Sequence, residues 1–191
     1  MEFSLFYFSS ADGAGQDKYR LLLAGARYAD RHGFTAIWTP ERHFHDFGGL
    51  YPNPSITGAA LATITERIRI RAGSTVLLLH NPVRFAENWS MVDNLSGGRV
   101  DLAVALGWNS NDFFFAPETF ERRSDLLPER LETVRRLWRG ETLTGKGGRG
   151  EEVRVQLHPK PVQPDLAIWF PASGNPETFV HAGKSGVNVL T

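Results

Sequence analysis

The chain has 191 residues, of which 41% are hydrophobic, enough to bury a sizeable core within one domain, and this argues against disorder. Its 21 basic and 21 acidic residues cancel, which removes the positive footprint expected of a protein that binds nucleic acid or an anionic membrane and points to a small-molecule partner. The absence of cysteine excludes disulfides, thiolate catalysis and sulfur-ligated metal clusters. The acidic start MEFSLFYFSS is a poor signal peptide, no apolar stretch reaches the roughly 18 residues of a membrane span, and a cytoplasmic protein is expected.

Residues 3–8 (FSLFYF) are a compact apolar run that reads as a strand, followed by a loop. Residues 17–32 carry Tyr19, Leu22, Leu23, Ala26 and Ala29 at helical spacing before Gly33, an amphipathic helix closed by a glycine. The unit then recurs. Residues 35–39 are a short strand, 54–65 a helix of small residues, and 68–79 a long β-branched run read as the third strand. Pro82 opens a helix over 83–95 that Ser96-Gly97-Gly98 stops, and 99–106 is the fourth strand. Residues 124–139 form a helix with Leu127, Leu131, Val134, Leu137 and Trp138 on its apolar side. Glycine and charge make 140–164 an excursion, with alternation over 153–157. Residues 166–170, 176–184 and 187–190 finish the series as strand, helix, strand.

Six strands alternating with five helices, most strands apolar along their whole length, predict an α/β fold with a parallel sheet covered on both sides by helices. The alternation fits either a (β/α)8 barrel or an open doubly wound sheet. Against the dinucleotide-binding version of the latter, residues 9–15 (SSADGAG) lack G-x-G-x-x-G, and Thr39-Pro40 stands where a ribose-binding acid would end the second strand. A typical barrel takes about 250 residues, so the barrel reading implies truncation to about six strands. A last strand with no following helix agrees, since it leaves a sheet edge unprotected.

Ligands of parallel α/β domains meet the loops after the strands. The loop after the second strand gathers Glu41, Arg42, His43, His45 and Asp46 with Phe44 and Phe47, and competes with an ordinary charged surface loop. A metal site on His43, His45 and Asp46 lacks further ligands elsewhere in the chain, so none is expected. After the fourth strand, Gly107 allows close ligand approach and Trp108 offers a stacking wall. The alternative is a capped turn ahead of the packing cluster Phe113-Phe114-Phe115. Before the last helix, Ser173, Gly174, Asn175 and Thr178 surround free N–H groups and a positive dipole end. That suits an anion, or simply an N-cap.

The segments WTPERHFHDFGG (38–49), PNPSITGAALATIT (52–65) and IRAGSTVLLLHNPVRFAENWSMVDNLSGGRVDLAVALGWN (70–109), with LWRGE (137–141) and ASGNPETFVHAGKSGVNVLT (172–191), closely resemble the luciferase-like monooxygenases, in particular the branch found beside natural-product synthases. The resemblance runs through nearly the whole chain in order and spacing. It implies a TIM-type (β/α)8 barrel, with residues 1–191 as a single domain lacking strands 7 and 8. It further implies that reduced FMN from a separate flavin reductase reacts with O2 to oxygenate an organic substrate in secondary metabolism, and that a homodimer forms through helices 2 and 3. Carried over by position, the resemblance puts catalysis on Glu41, Arg42 and His43. Arg42 stands where luciferases keep their catalytic histidine, so His43 is the acid–base residue, and Arg42 could hold a negative flavin or substrate carboxylate. Ser173, Gly174, Asn175 and Thr178, with Arg123 or Arg122, would take the flavin phosphate. Gly107 and Trp108 would flank the isoalloxazine, and residues 77–80 would line its other side with a strained peptide bond. Two relatives of the same fold remain as alternatives: an F420-dependent hydride-transfer enzyme, and a shortened flavin-binding protein without catalysis.

Overall fold

The structure is a computed structural model and describes residues 1–11, 17–174 and 176–191. The elements run β1 (Ser4–Phe6), α1 (Arg20–Arg31), β2 (Ala36–Thr39), α2 (Pro54–Ala62), β3 (Arg69–Thr75), α3 (Pro82–Ser96), β4 (Val100–Val104), α4 (Arg123–Trp138), β5 (Leu143–Lys146), β6 (Glu152–Val155), β7 (Ala167–Pro171), α5 (Pro176–Lys184) and β8 (Asn188–Leu190). Six strands form one parallel sheet in the order β1-β2-β3-β4-β7-β8. Each new strand joins the same growing edge, whereas a doubly wound sheet reverses direction at its ligand crevice. The fold is therefore singly wound: a curled half-barrel of the TIM type.

Strand alternation gives the sheet two unlike faces. Ile37, Ile70, Val100, Leu102 and Ile168 point outward, where they pack on Leu22 and Ala26 of α1, Leu61 of α2, Phe85, Trp89 and Val92 of α3, and Leu131, Val134 and Leu137 of α4. Ala36, Trp38, Ala103, Trp169 and Leu190 point to the concave side and form a separate cluster. The expected cover of helices on both faces is thus corrected. The strands are apolar on both sides because the second face is a barrel interior, not a second helix layer. On that inner face Asp101 accepts from both Arg69 and Arg71, and the Arg71 guanidinium lies over both the Trp38 and Trp169 rings, at 4.9 and 4.7 Å, where the two rings meet edge to face.

Local chemistry explains the helix boundaries. Asn53 and Asn81 each accept from two backbone N–H groups at the starts of α2 and α3, and both helices have proline at their first position. Gly97 closes α3 in the left-handed conformation, with φ 67°. The third strand is shorter than the sequence pattern suggests. Its register shifts between Gly73 and Thr75, next to a non-prolyl cis peptide at Gly73–Ser74, and Leu77–Leu79 turns into a short 3-10 helix. All three leucines are buried, so an uninterrupted apolar run marks burial and cannot by itself distinguish strand from tight helix. Within the excursion, β5 and β6 pair as an antiparallel hairpin, and the chain returns along α3, where Asp93 accepts from the N–H groups of Val162 and Gln163.

Helices α2 and α3, the pair expected to meet a second copy, pack side by side and leave Ile56, Met91 and Leu95 exposed. Among the described residues no helix is long and apolar enough to cross a membrane.

Candidate functional site at the strand ends

The loops leaving β1, β2, β3 and β4 converge at one end of the sheet. Ser9 and Ala11 pair with the second loop through Gly48 N–H to Ser9 O at 3.0 Å and Ala11 N–H to Asp46 O at 3.1 Å. Glu41 continues the line of β2, donating its N–H to Ser74 O at 2.9 Å, and this extension carries its side chain beneath the loop after β3.

The Glu41 carboxylate has no exposed side-chain surface and is surrounded by donors. Its Oε2 accepts from Thr75 Oγ1 at 2.5 Å and from the Val76 N–H at 2.8 Å. Its Oε1 lies 3.0 Å from His43 Nε2 and 2.6 Å from His80 Nε2. A carboxylate only accepts, so each ring offers its Nε2–H, a tautomer assigned from the hydrogen-bond chemistry. Burial alone would raise the Glu41 carboxyl. The hydrogen bonds from His43, His80 and Thr75, with the charge of His80, outweigh it and hold the group at about 2 against an ordinary 4.5.

His43 is buried against the edge of Phe115, with ring centroids 4.9 Å apart. The next residue, Phe44, has φ 53°, rarely adopted by an aromatic residue, and this turn sends its ring outward while His43 stays inside. Phe44, Phe113, Phe114, Pro117 and Phe120, with Ser110 and Asn111, line an open cleft of about 690 Å³. Nearby Asp112 is buried and bonded to the Asn109 amide. Burial raises its carboxyl above the ordinary value against the opposing pull of His43 and Arg42.

Of the residues singled out in the sequence, Glu41 and His43 are brought into contact. Arg42 points away from them: its guanidinium lies over the Trp108 ring at 4.8 Å, and its Nε donates to Phe47 O at 3.3 Å. Trp108 itself is exposed. Gly107 has φ 80°, and a Cβ there would stand 2.8 Å from the Phe113 ring and 2.9 Å from Val76, so the site needs a bare backbone at this point. Asn109 caps the following turn by accepting from the Asn111 N–H, which is the capped-turn alternative for this loop. His45 accepts from the Phe47 N–H and Asp46 from Ser10, so the loop's remaining polar groups have protein partners.

Ser173 and Gly174 lie exposed between β7 and α5, and Thr178 sits half-buried in the first turn of α5. Asn175 lies outside the described residues. Arg123 opens α4, but its guanidinium folds onto the Phe120 ring at 4.4 Å and donates to Phe120 O at 2.6 Å. Sequence reading missed the bonds of His80 and Thr75 to Glu41 and the burial of Asp112. The family resemblance placed residues 77–80 beside the flavin, but it gave no sign that His80 would meet Glu41. Its pairing with Glu41 spans 39 positions and has no spacing signal.

The sequence matches the family model described as luciferase-like monooxygenase over residues 1–191. It is 30% identical, over 195 residues, to the oxygenase component of a flavin-dependent trigonelline monooxygenase from Acinetobacter baylyi, covering 99% of this chain and 53% of that protein. It is also 30% identical, over 191 residues, to an F420-dependent glucose-6-phosphate dehydrogenase from Amycolatopsis mediterranei, covering 94% of this chain and 54% of that protein. Among solved structures, monooxygenase RslO1 from Streptomyces bottropensis matches with a TM-score of 0.84 at 27% identity, over 100% of this chain and 59% of that chain. The chain spans a little over half the length of these three proteins.

Proposed function

The chain belongs to the luciferase-like monooxygenases, and from that premise we propose that it is the oxygenase part of a two-component system that uses reduced FMN and O2 to oxygenate a largely apolar organic substrate in secondary metabolism. The observation that carries this reading is the buried Glu41–His43 pair beside an aromatic cleft at the C-terminal ends of the strands. When bound, reduced FMN supplies the two electrons with which one atom of O2 enters the substrate and the other leaves as water.

The chain's own groups fit that chemistry. Glu41 accepts from His43 Nε2–H, which fixes the ring and leaves Nδ1 as the atom that takes or returns a proton. Phe44, Phe113, Phe114 and Phe120 supply an apolar wall for the substrate. The bare backbone at Gly107 and the exposed Trp108 indole would flank a flat ring system. Ser173, Gly174 and Thr178, with Asn175 between them in sequence, would hold the phosphate through hydroxyls and the N–H groups of α5. Arg42, stacked on Trp108, is the cation available to a negative flavin or a substrate carboxylate. A separate flavin reductase, a cytoplasmic location and a homodimer belong to the same proposal.

The test is binding followed by turnover. Equilibrium dialysis of FMN, riboflavin and F420 is expected to favour FMN, with Thr178→Ala weakening FMN about tenfold while leaving riboflavin unchanged. Oxygen uptake driven by NADH and a flavin reductase should rise when an apolar substrate is added. Tight F420 binding with alcohol- or sugar-dependent F420 reduction would replace this reading with the hydride-transfer one. Tight FMN binding with no substrate-dependent uptake would replace it with a flavin-binding role.

A further inference from the structure

Glu41 offers one oxygen, Oε1, to two imidazoles. His43 reaches it from the loop after β2, and His80 reaches it from the end of the 3-10 turn that follows β3. Arg130 fastens that turn, donating to Leu78 O at 2.9 Å and to His80 O at 3.0 Å, so the His80 ring is delivered by an anchored backbone. The His80 side chain is 29% exposed, whereas that of His43 is 9% exposed and that of Glu41 is fully buried. Next to His80 lies a cavity of about 10 Å³ bordered by Asn53, Ser55, Thr75 and Asn88, close to the space one water requires.

We infer that His80 is a positioning residue for His43: the two rings, joined through Glu41 Oε1, hold a single positive charge between them, so that a proton kept on His80 withholds one from His43. The argument is one of charge compensation. One buried carboxylate offsets one imidazolium, and a second on the same oxygen would be an uncompensated buried charge. The other charged groups facing the cluster leave that balance in place. Arg42 and Asp112 stand near His43 with opposite signs. Arg130 meets the His80 backbone from α4. What α2 and α3 present to His80 at the cavity is neutral: Asn53, Ser55 and Asn88. His80, the more exposed ring, therefore exchanges protons with solvent, while His43 stays packed against Phe44 and Phe115 at the edge of the cleft. This inference rests on the proposed function only for what His43 does; the coupling itself needs no flavin.

The experiment is a ring-nitrogen NMR titration of the flavin-free protein, with the wild type, His80→Gln and Glu41→Gln compared. The wild type is expected to show two inflections shared by both rings. In His80→Gln the amide still donates to Glu41 but cannot hold a proton, and the proton affinity of His43 is expected to rise about tenfold. In Glu41→Gln the two rings should titrate independently. With flavin and substrate, His80→Gln should lose one limb of the kcat–pH profile while keeping its KM. Independent single inflections in the wild type, or a His43 curve unchanged by His80→Gln, would overturn the inference, and the wild-type measurement decides even where a variant fails to fold. Coupled rings in a protein that never binds FMN would sink the proposed function and leave this inference standing. Flavin-dependent turnover with uncoupled rings would do the reverse.

Discussion

Replacing Glu41 by Gln removes one charge from the most enclosed carboxylate of the site while keeping its volume, and its largest consequence is predicted in acid. In the folded protein the carboxyl sits at about 2, against an ordinary 4.5 for an unfolded glutamate. Between those values the unfolded chain binds a proton that the folded chain does not, so stability rises with pH across the window. The contribution is fully present above about pH 4.5 and lost as pH falls towards 2. At roughly 1.4 kcal/mol per unit, the shift corresponds to about 3 kcal/mol. The variant should therefore lose the pH dependence that this group confers. Near neutral pH it should itself be less stable by about 2 to 4 kcal/mol, because an amide cannot accept from all of Thr75, Val76, His43 and His80. Urea unfolding of both proteins at half-unit steps from pH 2 to 6, plotted as their difference, isolates the term because every other carboxylate cancels. The difference should shrink by about 3 kcal/mol on acidification. Parallel curves across the window would refute the picture of Glu41 as a buried, ionised acceptor.

Other substitutions probe the frame that carries the site. Gly107→Ala puts a Cβ against Phe113 and Val76 at a left-handed position and should cost about 2 to 4 kcal/mol in thermal or urea unfolding; an unchanged melting temperature would show that the loop relaxes freely. Asp30 holds the approach to β3 by accepting from the N–H groups of Glu66, Arg67 and Ile68, at 3.1, 2.8 and 2.8 Å. Asp30→Ala should destabilise by about 2 to 3 kcal/mol, with faster hydrogen exchange at those three amides. Asp101→Asn leaves Arg69 and Arg71 without their shared counter-charge inside the half-barrel, and a loss of about 3 kcal/mol is expected in the same assay.

Much of the frame is legible in the chain because local physics writes it there. Asn53-Pro54 and Asn81-Pro82 announce helix starts, Gly97 announces a stop, and the apolar spacing of α4 marks its buried side. The flavin-family motifs around residues 38–109 likewise lie in contiguous sequence, and they carry the family resemblance together with Glu41 and His43. What remains hidden depends on partners far apart. Whether the strands form a doubly wound sheet or a barrel rests on which edge each new strand joins, and whole-strand hydrophobicity is the same for a face buried under helices and one buried in a barrel interior. The run through Leu77–Leu79 shows the same limit: burial is written in the residue types, but backbone path is not. The cluster at Glu41 is the clearest case. The sequence determined that an acid and a histidine stand two residues apart after the second strand. Only the tertiary structure decided that Thr75, Val76 and His80, 34 to 39 positions away, would close around that acid, because hydrogen bonds between neighbouring strand ends are set by sheet register and leave no periodicity along the chain.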